Sequence, residues 1–274
     1  MSKQIQTHMS PIIGYHRAPL SQKFGAPRQP NLVALMSAIE MIAPFDTPAA
    51  FVGLEGFSHL WLSWQFHHNK GLNNQQASLQ QGMQIDSSFR AQVRPPRLGG
   101  NQKIGVFASR SMYRPSQMGL SVVKLERIEV VAGRVILIIS GADIIDATPI
   151  IDIKPYIAYS DSIEHATSGF APAAPTPSAV TMTVNAQEQF AVLVDSDIKS
   201  RVPISSKSVI EDIQQRLVAA DLPLIKALIA QDPRPAYRRN EINTSFTMRY
   251  KSVDVSFCQV ATGELQISSV VEVV

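Results

Sequence analysis

A single cysteine, Cys258, in 274 residues excludes an internal disulfide and any multi-cysteine zinc or iron–sulfur site. That usage points to a reducing compartment, with Cys258 itself expected in a core. Glycine-rich phosphate loops are missing too. There is no Gly-x-Gly-x-x-Gly and no Gly-x-x-x-x-Gly-Lys-Ser/Thr, so a nucleotide cofactor held in the usual α/β manner is not expected. No His-Glu-x-x-His or Cys/His spacing completes a metal set. The adjacent His67 and His68, at an expected strand end, should point to opposite faces, so no metal is expected. Long apolar runs are absent as well. The longest, 130–139, is interrupted by Gly133 and Arg134, and residues 1–10 form a polar, flexible N-terminus without the apolar stretch of a secretory signal. A soluble, cytoplasmic protein with no membrane partner is expected.

Charge is present in moderation: 17% charged residues and a net charge of +3, a balance that suits nucleic acid without indicating it. Its distribution says more. Between Val93 and Ser121 stand Arg94, Arg97, Arg110 and Arg114, interleaved with Pro95, Pro96, Gly99, Gly100, Gly105, Pro115 and Gly119. Proline fixes φ and glycine opens backbone shapes closed to other residues, so these guanidinium groups are held in preset positions, as recognition of an anionic ligand requires.

From residue 11 to about 160 the chain reads as short strands between turns, at 12–16, 60–67, 103–109, 120–129, 135–139 and 150–153, with no long helix. Leu60, Leu62, Trp64 and Phe66 recur at period two, leaving His59, Trp61, Ser63, Gln65 and His67 on a face free to line a cavity. The pattern predicts a mainly β N-terminal domain, a closed or nearly closed barrel. Within it, the Gln- and Asn-rich stretch 71–92 reads as a mobile insertion with a transient helix. An Ala/Pro linker at 161–179 carries Pro172, Pro175 and Pro177. Residues 180–274 read as a small α+β domain: a strand at 180–184, a helix at 187–195, and a helical pattern over 208–230 with Pro223 marking a boundary. Closing strands follow at 245–250, 254–260 and 265–267.

The densest candidate chemistry lies in Asp143, Asp146, Asp152, Lys154 and Tyr156. A turn before an edge strand accounts for Asp146, but the acids, the lysine and the tyrosine together exceed what a turn requires. His59 is read as a histidine bonded to backbone at a strand start.

Six ordered blocks then carry a resemblance: Phe24-Gly25-Ala26-Pro27-Arg28-Gln29-Pro30, the stretch 53–61, 93–100, 105–111, 146–156, and Asp232-Pro233-Arg234-Pro235-Ala236-Tyr237. In these the chain resembles the tRNA methyltransferase O family, also called TsaA-like or YaeB-like. The resemblance implies a homodimer that takes a methyl group from S-adenosyl-L-methionine in a non-Rossmann barrel. The acceptor it implies is N6 of threonylcarbamoyladenosine, beside the anticodon of threonine tRNA. Carried over by motif, the cofactor contacts are Arg28, Gln29, Pro30, His67, His68, Arg110, Leu120, Asp146, Ala147, Thr148 and Pro149. Asp232, Arg234 and Tyr237 of the C-terminal domain are expected to hold tRNA, with Lys154 a further substrate candidate, while Arg94, Arg97 and Arg114 are expected to serve tRNA, the threonylcarbamoyl carboxylate or the dimer contact. Two departures stand out. Ser116-Gln117-Met118 replaces the family's Asn-Pro-Ile after Arg114-Pro115, and His68 stands where the family often has glutamine.

The urea-like acceptor nitrogen is a weak nucleophile until its proton leaves, so a base helps, and Asp152 and Tyr156 are its candidates. The threonylcarbamoyl carboxylate gives Arg97 or Arg114 a bidentate target, and Phe107, Tyr113 or Tyr156 offer a stacking face for a splayed base. Two other readings stay open: a barrel that binds RNA or a metabolite without chemistry, and a methyltransferase with another acceptor.

Overall fold

The computed structural model describes residues 8–68, 89–199 and 206–273, leaving out the side chains of 197–199 and 206–208. Six antiparallel strands close a barrel in the order β1 (Gly14–Arg17), β2 (Met36–Met41), β7 (Arg134–Ser140), β6 (Met118–Val131), β3 (His59–Gln65) and β8 (Pro149–Pro155), with β8 returning to β1. Closure removes every free edge. In between, β4 (Gln92–Val93) and β5 (Ile104–Gly105) form a two-stranded ladder. The predicted strand at 103–109 is thus only this short pairing followed by a helical turn at Val106–Ala108.

The barrel interior is solid. Ile39, Leu60, Leu62, Trp64, Val123, Leu137, Ile139 and Ile150 meet inside it, each buried. Burying one such side chain contributes about 1.5–3 kcal/mol. In β3 the inward set is Leu60, Leu62 and Trp64, as the period-two pattern indicates. The alternate face lines no interior cavity, however, because it points outward, where the Trp61 indole donates to Asp161 Oδ2 at 2.9 Å.

Beyond residues 162–178, β9 (Ala179–Met182) pairs in parallel with β12 (Glu264–Glu272), which with β11 (Val253–Ala261) and β10 (Phe246–Tyr250) completes a four-stranded sheet. Helices α1 (Val184–Lys199), α2 (Ser206–Gln214) and α3 (Asp221–Ala230) belong to the same region. The predicted 208–230 pattern is therefore two helices. Pro223 sits in the first turn of α3, where a missing N–H costs nothing. Asp221, buried at the start of α3, accepts from Tyr250 Oη at 2.7 Å and Lys251 Nζ at 2.8 Å. Burial first, and then that acid, push the Tyr250 phenol well above its ordinary range. Cys258 lies on the half-buried outer face of β11 rather than in the core.

Among the described residues, two apolar packings join barrel and C-terminal region. The β1–β2 connection sends Leu20, Val33 and Leu35 into the C-terminal core beside Phe190, Leu228, Tyr250 and Phe257. In return, α2 lays Val209, Ile210 and Ile213 on the outside of the barrel against Ala38, Ile136 and Ile138. Among the described residues, no helix is long and apolar enough to cross a membrane.

Candidate functional site

The strand order decides which loops meet. β1, β3 and β7 end, and β2, β6 and β8 begin, at one rim of the barrel. Three connections therefore leave from and return to it: residues 18–35, the one from 66 to 117 of which 66–68 and 89–117 are described, and 141–148. They carry the blocks that are far apart in sequence.

From the first connection, Gln29 Oε1 accepts from Arg110 Nη1 of the second at 2.6 Å. Arg28 donates to the Arg234 carbonyl at 3.2 Å, drawing the 232–239 loop to the same rim. Burial and the Arg239 charge lower the Arg28 pKa, while Asp232 opposes them. Lys23 Nζ reaches the His68 carbonyl at 3.2 Å. His67 and His68 lie beyond the end of β3, with ring centroids 4.2 Å apart, side by side rather than pointing to opposite faces. Burial first, then the His68 and Lys23 charges, lowers the His67 pKa.

The third connection is braced on both sides. Asn31 N–H donates to the Gly141 carbonyl at 2.8 Å; Gly141 has φ +80°, and an added Cβ would lie 2.4 Å from Asn31 Oδ1. Asp146 Oδ1 accepts from the Ala18 N–H at 3.0 Å and from Gln214 Nε2 of α2 at 2.7 Å. Ala147 takes φ +59°, Thr148 is buried with its hydroxyl on the Ile145 carbonyl, and Pro149 begins β8. The 146–149 turn is thus fixed by neighbours from β1 and α2. Leu120 stands exposed near the start of β6.

Asp143 is the rim residue that the carried-over set omits. Ser121 Oγ donates to Asp143 Oδ1 at 2.5 Å, and Trp64 Nε1 donates to Ser121 Oγ at 3.0 Å. Gly119 leaves room for the indole, since a Cβ there would lie 2.2 Å from the Trp64 ring. Burial raises the Asp143 pKa against the Ser121 bond and the Arg110 charge. The sequence signal was its place in Gly141-Ala142-Asp143-Ile144-Ile145-Asp146, an acid between apolar residues.

Beside the rim lies an aromatic and basic face. The Arg90 guanidinium carbon stands 4.1 Å from the Tyr113 ring centroid and that of Arg114 stands 5.5 Å from that of Phe107, which is 67% exposed. Arg114 also donates to the Ser109 carbonyl at 3.0 Å, and Arg97 donates to the Ala173 carbonyl. Arg94 lies between β4 and the helical turn Pro96–Leu98, exposed. Ser116 and Gln117 close the turn into β6: Gln117 has φ +51° and its carbonyl accepts from the Phe66 N–H at 2.9 Å.

Other predicted residues are not brought to this rim. Asp152 lies midway along β8, opposite Ser63, 3.7 Å from Lys154 Nζ. Tyr156 follows β8 at the opposite end, where its N–H donates to the His59 carbonyl and its ring meets His59 and Trp61. Arg234 is corrected more sharply. It is 2% exposed, with its guanidinium donating to Asp232, Arg239 and Glu241, so it shapes the 232–239 loop from inside. Tyr237 on that loop is 85% exposed. The stretch 71–88 of the predicted insertion lies outside the described residues.

Sequence profiles of the tRNA-methyltransferase O N-terminal domain and of the TrmO C-terminal domain match residues 15–162 and 187–273. A putative S-adenosylmethionine-dependent methyltransferase RcsF of Pseudomonas aeruginosa is 38% identical over 91% of each chain. The tRNA (adenine(37)-N6)-methyltransferase of Escherichia coli is 35% identical over 89% of this chain and 93% of its own. The crystal structure of TrmO from Pseudomonas aeruginosa superposes with a TM-score of 0.69 at 30% identity, covering 97% of this chain and 99% of that one. By both domains, by sequence over nearly its whole length and by fold, the chain belongs to the tRNA-methyltransferase O family.

Proposed function

We propose that this protein is an S-adenosyl-L-methionine-dependent tRNA methyltransferase that methylates N6 of threonylcarbamoyladenosine beside the anticodon of threonine tRNA. The observation that carries this reading is the gathering of Arg28, Gln29, Arg110, Asp143 and the 146–149 turn at one rim, next to an exposed aromatic and basic face.

The residues fit such a donor. It is a zwitterion with a cationic sulfonium and an apolar-faced adenine, and the rim offers a fixed guanidinium and the exposed Leu120 side chain. When bound, the donor supplies an electrophilic methyl group. Arg110, pinned by Gln29, is placed to hold its carboxylate, while Arg28, Pro30, His67 and His68 wall the same rim. The packed barrel interior supports a site on the rim. Positioning the acceptor behind the methyl carbon lowers the barrier through proximity alone, by about 7–11 kcal/mol at best.

For the tRNA, Arg94, Arg97, Arg114, Lys154, Asp232 and Tyr237 remain the candidate contacts, with Phe107 as a stacking face. Arg97 or Arg114 taking the threonylcarbamoyl carboxylate in a bidentate bond explains selection of the modified base. Homodimeric assembly belongs to the same reading, supported by the exposed apolar side chains Ile157, Tyr159, Ile163 and Phe170. So does a cytoplasmic location, where mature tRNA is found.

The test is nucleoside mass spectrometry of threonine tRNA incubated with protein and donor, with and without its threonylcarbamoyl group. Methyl transfer only to the modified tRNA is expected. Equal transfer to both removes the carboxylate from the account. Absence of donor binding by calorimetry leaves a barrel that binds without chemistry.

A further inference from the structure

We infer that Asp143 is the catalytic base that accepts the proton of the acceptor nitrogen, an inference that rests on the methyltransferase reading above. Three acids of known setting stand at or beside the rim, and two are occupied. Asp146 Oδ1 holds the Ala18 N–H and the Gln214 amide. Asp232 is paired with Arg234 at 2.8 Å and Arg239 at 3.3 Å. Asp143 has no ion-pair partner among the described residues. The Arg110 charge acts on it from a guanidinium already bonded to Gln29.

Among the described residues its one side-chain hydrogen-bond partner, Ser121, is directional. The Trp64 indole N–H can only donate, so it occupies a lone pair of Ser121 Oγ, and the Ser121 hydroxyl proton is left to point at Asp143. Ser121 is 1% exposed, and Gly119 permits the indole position behind it. The carboxylate is therefore held in one orientation by a buried relay that carries no charge of its own. Burial favours the protonated form of such a group, so it is fitted to take a proton, whereas Asp152 lies on the outer wall of the barrel, away from the rim.

The step balances. The N–H bond of the acceptor breaks and its proton passes to Asp143; the nitrogen pair forms the bond to the methyl carbon, and the carbon–sulfur pair stays on sulfur. A sulfonium and a carboxylate become a thioether and a carboxylic acid, which then yields its proton to water. Asp143 is the catalytic residue here and Ser121 a positioning residue.

Wild-type protein is assayed first on threonine tRNA with and without the threonylcarbamoyl group, and the tRNA that is methylated is used throughout. Inactivity on both overturns the functional reading and this inference with it. With active wild type, Asp143→Asn is expected to lower single-turnover kcat by 10²- to 10⁴-fold, the usual range for a positioned base. Donor affinity by calorimetry should stay within about threefold, far below that effect. Unchanged kcat overturns the inference, and so does lost donor binding, which makes Asp143 a cofactor contact instead. A second measurement needs no donor. In a Trp61→Phe background, Trp64 fluorescence should titrate through its relay to Asp143, and the transition should vanish in Asp143→Asn. Ser121→Ala covers the case in which Asp143→Asn does not fold. Loss of its bond, which lowers the Asp143 pKa, should move the acid limb of the kcat–pH profile to higher pH, and an unmoved limb overturns the inference.

Discussion

His16 shows how one side chain sets the working range of the rim. It is wholly buried, its Nδ1–H donates to the Ile145 carbonyl at 3.0 Å, and its Nε2 has no partner among the described residues. Burial lowers its pKa to about 4 from 6.5. The unfolded chain therefore binds this proton more tightly than the folded one. The stabilisation is complete above pH 6.5 and is lost as pH falls toward 4, by roughly 3 kcal/mol. Urea unfolding at pH 7 and pH 4.5 should show this loss, and His16→Gln should flatten the difference by a comparable amount. Because His16 anchors the loop that carries Asp143 and Asp146, donor binding should weaken over the same acid range. At this scale the family resemblance named Arg110 and Gln29 from separate blocks, and the fold joins them by a hydrogen bond. Burial is what the sequence hides: Arg234 looked like a surface cation until its bonds to Asp232 and to the Arg239 and Glu241 carbonyls were seen.

β3 was legible from its alternation, and β7 from an unbroken apolar run, Val135 to Ile139, although α2 covers its outer face. β2 did not stand out as a strand: Ser37 shares the inward side with Ile39 and Met41, and Glu40 shares the outward side with Ala38, so Met36–Met41 shows neither a clean alternation nor an apolar run. The same covering helix ends in Gln214, whose amide holds Asp146 at the rim. A hydrogen bond to a charged acceptor contributes about 1.5–3 kcal/mol. Gln214→Ala should therefore lower stability by that order in thermal melts. By loosening the 146–149 turn, it should also raise KM for the donor more than it lowers kcat. A change in kcat alone would place that turn outside donor binding.

Across the whole molecule, the division expected at 161–179 meets a complication that no local pattern reveals. The β1–β2 connection leaves the barrel, buries Leu20, Val33 and Leu35 among C-terminal side chains, and returns. Contacts separated by some two hundred positions have no periodic signature, and only the folded chain displays them. They make the two regions energetically dependent. Leu20 is fully buried in the C-terminal core, so Leu20→Ala should cost about 2–5 kcal/mol. The probes for this are already built in. Trp61 and Trp64, the chain's two tryptophans, both lie on β3 of the barrel, while α1, α2 and α3 all lie in the C-terminal region. Tryptophan fluorescence thus follows the barrel, and the helical signal at 222 nm follows chiefly the other half. If the regions fold as one unit, Leu20→Ala lowers the midpoint of both signals equally, although its side chain touches only one core. If the barrel is autonomous, the fluorescence midpoint stays in place while the helical signal falls. We expect coincident shifts, because a rim built from both regions holds its geometry only while both are folded.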